Sequence, residues 1–250
     1  ILLKKSNKLK AGEYNFKSGL NNKIVVNKLY KNDVFLYKLT IPECFSNKQI
    51  YKKINNNIFI LDELKKDYIE GDFFPDTYFY SRDTKRSEML EIMNVRAKNI
   101  MQRAFSELKN KNKIKLSNKE LLIMASLVEA EAKIKEEKKK IASVFFNRIK
   151  LGMKLQSDPT IIYGINKSVY INRKITKQDI LLDHPWNTYK INGLPPTPIC
   201  NVGYDSIKAV LEPEDTNNLY FVADGKGGHF FSENYDKHQN YVKILKNNIK

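Results

Sequence analysis

The chain has 250 residues, 42% hydrophobic and 11% aromatic, enough to bury a core in one large domain or two smaller ones. A formal net charge of +16 suits polyanionic partners such as nucleic acid, anionic membrane or acidic cell wall, although abundant Lys, Asn and Ile also fit an AT-rich genome. No stretch is apolar for long enough to span a bilayer and no signal peptide is visible; the start at Ile1-Leu-Leu-Lys4, without Met, reads as an excised piece of a longer protein.

Residues 1–57 alternate short extended and helical runs, the pattern of a small α+β module, and the polar run Asn55-Asn-Asn57 marks its expected end. Within it, residues 34–40 predict a strand, and Ser46 predicts the N-cap of a helix carrying Ile50 and Ile54. Residues 70–80 crowd aromatics around Pro75, which disfavours helix and predicts a loop and strand. Such aromatics either stack on sugar rings or line an ordinary core, and the second is the commoner role.

From residue 84 to 109, Leu90, Met93, Ala97, Ile100, Met101, Ala104, Phe105 and Leu108 recur at helical spacing, with the Met residues as core filler. Ser117-Asn-Lys-Glu120 is a capping box, and residues 121–128 are apolar on nearly every face, so the helix it starts should run through the interior. A further helix over residues 136–151 should stop at Gly152. Residues 156–200, with Asp158-Pro-Thr160 and Gly193-Leu-Pro-Pro196, predict loops and short elements, where binding residues tend to collect. A short helix over 206–211 and a hairpin of strands 219–223 and 229–232 complete the expected elements. The hairpin turn Asp224-Gly-Lys-Gly-Gly228 lacks the spacing of a phosphate loop.

Chemistry concentrates at the end of the capped helix. An acid that donates a proton near neutral pH needs desolvation or nearby negative charge. Glu131 would share a helical face with Leu127 and Val128 near the negative end of the helix dipole, whereas Glu129 points to nearly the opposite side. The same two acids also fit solvated glutamates pairing with Lys133, Lys135 or Lys138. His184, His229 and His238 form no ligand pattern, and Cys44 and Cys200 no zinc spacing or disulfide framework, so no metal or cofactor is expected; a single bridge between the cysteines stays open. Asn147 and Arg148, at a helix end beside the acids, could bond loop carbonyls.

Several ordered blocks carry a resemblance. Ala125-Ser-Leu-Val-Glu-Ala-Glu131, Ile141-Ala-Ser-Val-Phe-Phe-Asn-Arg148, Leu151-Gly-Met-Lys-Leu-Gln-Ser-Asp-Pro-Thr160 with Tyr163-Gly164, Trp186-Asn-Thr-Tyr189, Gly193-Leu-Pro-Pro-Thr-Pro-Ile199 and Tyr220-Phe-Val-Ala-Asp-Gly-Lys-Gly-Gly-His229 resemble the endolytic murein transglycosylase, or YceG-like, family. Upstream, Lys10-Ala-Gly-Glu-Tyr14, Thr40-Ile-Pro-Glu43 and Phe74-Pro-Asp-Thr-Tyr78 also fit. The chain departs from the family pattern at Cys44, where glycine is usual, and at Asp72, Ala130, Ala132 and Trp186.

The resemblance implies an α+β protein with a LysM-like module over residues 1–57 and a helix-rich catalytic domain over 58–250, the latter having a lysozyme-like helical core and a C-terminal β-hairpin. It implies a bacterial cytoplasmic (inner) membrane protein, anchored through an N-terminal segment and with its catalytic domain on the extracytoplasmic side. The implied reaction is cleavage of β-1,4 links between N-acetylmuramic acid and N-acetylglucosamine in peptidoglycan, leaving 1,6-anhydro ends and terminating nascent strands. Peptidoglycan synthases are the implied protein partners, with no nucleic acid. The family's catalytic glutamate maps to Glu131, with Glu129 as the fallback. Gln156, Asp158, Tyr163, Asn187 and Tyr189 are the expected sugar-binding residues, by their hydroxyls, amides and rings. A lysozyme-type hydrolase and a non-catalytic wall-binding or nucleic-acid-binding module are the alternatives.

Overall fold

Two capping boxes start the helices that organise the chain. The computed structural model describes residues 12–62, 68–82, 84–108 and 116–248; the first eleven residues of the expected N-terminal module, and Lys109 at the expected end of the long helix, lie outside this set. After α1 (Asn22–Tyr30) and β1 (Tyr37–Thr40) comes α2 (Asn47–Asn55). Ser46 caps α2 as predicted: its hydroxyl accepts from the Gln49 amide, and the Gln49 side chain accepts from the Ser46 amide at 2.9 Å. That exchange satisfies amides that have no partner inside the helix.

β1 pairs antiparallel with β3 (Thr77–Tyr80), Leu39 opposite Tyr78, and the short β2 (Ile60–Leu61) pairs parallel with β4 (Thr84–Lys85). Their inward side chains join Ile41, Ile50, Ile54 and Phe73, and Met89, Leu90 and Met93 of α3 (Arg86–Leu108), in the smaller of two cores. This ladder and core therefore draw on residues from both sides of position 57. In the aromatic segment Phe73, Phe74, Tyr78 and Tyr80 are buried and only Phe79 faces solvent, so packing is their role here.

The larger core surrounds α4 (Asn118–Glu131), which starts at the Ser117–Glu120 capping box. α4 lies against α5 (Lys138–Lys150) and α8 (Tyr204–Leu211), and its residues from Ile123 to Glu129 are all buried. Leu127 and Val128 are wholly enclosed, each contributing roughly 1.5–3 kcal/mol of hydrophobic stabilisation. A single 3-10 turn, Lys135–Glu137, leads into α5. At its other end the chain turns at Gly152, whose φ of +68° favours glycine, and the Met153 amide donates to the Arg148 carbonyl at 2.8 Å.

The short elements expected over residues 156–200 are helical. α6 (Asp158–Asn166) begins at Asp158-Pro159, where proline in a first helical turn forfeits only an amide that would have no helical partner. After the short α7 (Lys177–Leu181), the predicted hairpin forms from β5 (Tyr220–Ala223) and β6 (His229–Ser232), antiparallel. Its turn is held by the Asp224 carboxylate, which accepts from the Lys226 and Gly228 amides at 2.7 and 2.9 Å. A helix outside the expected elements, α9 (Tyr235–Asn248), lies along the hairpin with Tyr241 stacked on Phe230 at 4.7 Å between ring centres. Among the described residues the sheets are all two-stranded, so the fold is α+β and dominated by helices. No helix among them is long and apolar enough to cross a membrane.

Candidate active site

The two acids at the end of α4 go to different environments. Two residues apart on a helix is a rotation of about 200°, so one carboxyl must turn away from the other. Glu129 turns inward: its Oε1 accepts from Lys138 Nζ at 2.8 Å and its Oε2 from the Gly203 amide at 3.0 Å. Both side chains of this ion pair are nearly inaccessible, at 4% and 6% exposure. Of the three lysines expected near these acids, Lys138 is thus the buried partner of Glu129, while Lys135 pairs with Asp205 at 2.8 Å.

Glu131, at the last position of α4, opens onto a cavity of about 190 Å³ lined also by Arg148, Leu155, Gln156, Asp158, Tyr189 and Phe221. Ser157 Oγ donates to its Oε1 at 2.6 Å. Burial pushes the Glu131 carboxyl up from an ordinary 4.5 to about 7; the Ser157 hydroxyl pulls it down and the neighbouring Asp158 charge raises it. Near neutral pH such a group is present in both protonation states, which suits it to donating and then accepting a proton.

The cavity walls are fixed by local chemistry. Ser157 stands at the N-cap of α6, but its hydroxyl makes no cap bond because it is turned to Glu131. Buried hydroxyls hold it there: Thr188 Oγ1 accepts from the Ser157 amide at 2.9 Å, and Thr160 Oγ1 donates to the Ser157 carbonyl at 2.6 Å. Asp158, in the first turn of α6, accepts from the Tyr189 hydroxyl at 2.6 Å; burial, and after it this bond, raises the tyrosine's pKa. Arg148 does bond loop carbonyls, donating from Nε to Leu219 at 2.6 Å and from Nη1 to Lys154 and Leu155 at 3.0 Å. It also reaches Gln156 Oε1 at 3.2 Å, while Gln156 itself sits at φ +52°. Phe221 comes from β5, and the hairpin carrying it is tied to the turn before α5 by His229, whose Nδ1 lies 2.7 Å from Glu137 Oε2.

Of the five sugar-binding candidates, Gln156, Asp158 and Tyr189 line this cavity and Tyr163 and Asn187 do not. The Tyr163 hydroxyl donates to Glu70 Oε2 at 3.0 Å, and the Tyr163 ring meets that of Trp186 edge-on. Glu70, itself pushed up to about 7 by burial, also accepts from the Asn47 amide at 2.7 Å and Asn201 Nδ2 at 3.2 Å. The fully buried Asn187 donates to the carbonyls of Ile180 and Leu182 and accepts from the Tyr189 amide, so it shapes the loop behind Tyr189. Ser157, Leu155 and Phe221 were not singled out from sequence. Ser157 lies between two candidates, Gln156 and Asp158, and that adjacency was the available signal. Among the described residues no group of three or more His, Cys, Asp or Glu side chains could hold a metal ion.

A model of the YceG-like family matches residues 1–244. The chain belongs to the YceG-like family. Its curated relatives include the endolytic murein transglycosylase of Bacillus subtilis, 33% identical over 261 aligned positions that cover 91% of this chain and 71% of the relative. The protein of the same name from Streptococcus pneumoniae is 28% identical, covering 94% of this chain and 50% of the relative, so the chain spans about half the length of that relative. Among solved structures, a YceG-like protein from Listeria monocytogenes matches with a TM-score of 0.71 and 30% identity, over 93% of this chain and 84% of that one. For this YceG-like chain the likeness runs through both cores rather than through the cavity alone.

Proposed function

We propose that this chain is an endolytic lytic transglycosylase that cuts peptidoglycan glycan strands, with Glu131 as both acid and base. The observation that carries the reading is the Glu131 carboxyl, raised to about 7 by burial, facing a polar cavity in a chain of the YceG-like family. The names of the two curated relatives support the same reaction. At about 190 Å³ the cavity is below the roughly 300–1,000 Å³ of sites that enclose a free ligand, which suits one sugar of a polymer rather than a whole small molecule.

With Oε1 engaged by Ser157, the proton of neutral Glu131 sits on Oε2. It is donated to the glycosidic oxygen as the C1–O bond breaks through an oxocarbenium-like state. The carboxylate so formed takes the proton of the muramic acid C6 hydroxyl, whose oxygen closes on C1. The products are a 1,6-anhydro end and a free 4-hydroxyl, with no water consumed and the acid regenerated. Gln156 and Tyr189 would orient the sugar's hydroxyl and N-acetyl groups, and Phe221 would stack on it.

A second reading follows from Asp158 on the same cavity wall, since paired carboxylates hydrolyse glycosides. Digestion in 18O-labelled water separates the two. The transglycosylase yields unlabelled anhydro ends; labelled reducing ends would replace this reading by hydrolysis. The proposal extends to a LysM-like module at residues 1–57 before a catalytic domain at 58–250, and to a membrane anchor with the site on the extracytoplasmic side. It also includes peptidoglycan synthases as partners in terminating nascent strands. Fractionation of the full-length protein and crosslinking in cells test these placements.

A further inference from the structure

Cys44 stands in the left-handed region, at φ +61°, a conformation that glycine adopts without cost and other residues seldom do. It is not a turn exposed to solvent: Cys44 is 5% exposed and belongs to the larger core. The backbone there is fixed from both sides, the Cys44 amide donating to the Asn201 carbonyl at 2.9 Å and the Asn201 amide to the Phe45 carbonyl at 3.0 Å. This crossing brings the segment before α2 alongside the one that follows Pro198, and there lies the other cysteine. Cys200 is fully buried, its thiol 3.7 Å from the Ser126 carbonyl of α4, and it belongs to the same core cluster as Cys44. The chain's two cysteines, separated by nearly two thirds of its length, are thus brought into one buried cluster, close enough for the Cys44 thiol to act on that of Cys200. A strained backbone position that persists in a packed core points to a use for its side chain.

We infer that Cys44 and Cys200 are a disulfide-forming pair, reduced as seen here, whose oxidation during folding staples the segment before α2 to the loop beneath α4. The backbone bonds that tie Cys44 and Phe45 to Asn201 already hold the two segments side by side, as a short crosslink requires. The oxidant is an external disulfide, such as oxidised glutathione or a thiol oxidase's own disulfide. One cysteine thiolate attacks a sulfur of that disulfide and releases one thiol. The second cysteine thiolate then attacks the mixed disulfide and releases the other, so two protein thiols are oxidised as one external disulfide becomes two thiols. In the finished core, burial raises the Cys200 thiol's pKa and shuts out reagents, so exchange belongs to the partly folded chain and the product is then protected. The staple closes a long loop, the case in which a crosslink most restricts the unfolded ensemble.

The test is to refold reduced, denatured protein in a buffer of reduced and oxidised glutathione, alkylate it under denaturing conditions, and map its peptides by mass spectrometry. The expected product links the Cys44 and Cys200 peptides at a mass two hydrogens below their sum. This oxidised form should unfold at a midpoint roughly 5–10 °C above that of the same protein refolded and kept in reductant. Cys44→Gly, which suits the left-handed backbone and so should fold, is expected to show no link and the same midpoint after either refolding. Recovery of both cysteines as alkylated or separately glutathionylated thiols would overturn the inference, as would equal midpoints for the oxidised and reduced preparations.

Discussion

Replacing Glu131 by Gln and, separately, Glu129 by Gln makes one chemical change at two sites two residues apart, and the structure gives them opposite effects on stability. The Glu131 carboxyl titrates at about 7 when folded and at the ordinary 4.5 when unfolded. Between those values the folded state binds the extra proton, so stability falls as pH rises through this window. The difference corresponds to about 3 kcal/mol of destabilisation above pH 7, lessened because the carboxyl opens onto the cavity. A neutral amide removes that penalty and can still accept from Ser157. Glu131→Gln should therefore be more stable than wild type at pH 8, and indistinguishable from it at pH 4, where the acid is protonated in both states. Glu129→Gln leaves the buried Lys138 ammonium with only the Glu43 carboxylate at 3.8 Å, and should cost about 3 kcal/mol at pH 8. Urea denaturation of the three proteins at both pH values measures these differences. Equal effects at the two sites, or a Glu131→Gln effect independent of pH, would refute the assignment of one acid to the cavity and the other to the core.

Further outcomes follow from the neighbours of Glu131. Activity should fall as pH rises through about 7, where the donating form is lost, and Ser157→Ala should move this limb to higher pH while lowering kcat, because the hydroxyl favours the carboxylate; a pH–rate profile reads both. Tyr163→Phe removes a buried bond to Glu70 and should cost about 1–3 kcal/mol by urea denaturation, with kcat/KM within about twofold of wild type. Asn187→Ala strips donors from two loop carbonyls and should cost roughly 2–4 kcal/mol in the same measurement.

What could be read from the sequence was local. Ser46, Ser117 and Gly152 act within a few residues of themselves, and each forms the cap or stop expected of it. The separation of Glu129 from Glu131 follows from helical rotation alone. The aromatic run at 70–80 resolved to the commoner role because its residues face a core built by distant elements. The rest depends on contacts distant in sequence or on signals with two meanings. Glu70, Tyr163 and Asn201 meet across spans of 93 and 131 residues, which drew Tyr163 away from the cavity. Asp158-Pro159 opens a helix as readily as a loop, and Ser157 is visible as a site residue only once α6 is set beside α4. α9 does carry helical spacing, its half-buried His238, Tyr241, Val242 and Leu245 falling at i, i+3, i+4 and i+7, but two of these four are polar-edged rings and most of the helix is exposed.

The central claim is that one carboxyl at the end of α4 performs the reaction. Purified glycan strands digested with wild type, Glu131→Gln and Glu129→Gln, and read by mass spectrometry for anhydromuramic ends, test it directly. Anhydro ends are expected from wild type and, among the folded molecules, from Glu129→Gln, with a loss of at least about a hundredfold for a folded Glu131→Gln. Full activity in Glu131→Gln would contradict the account.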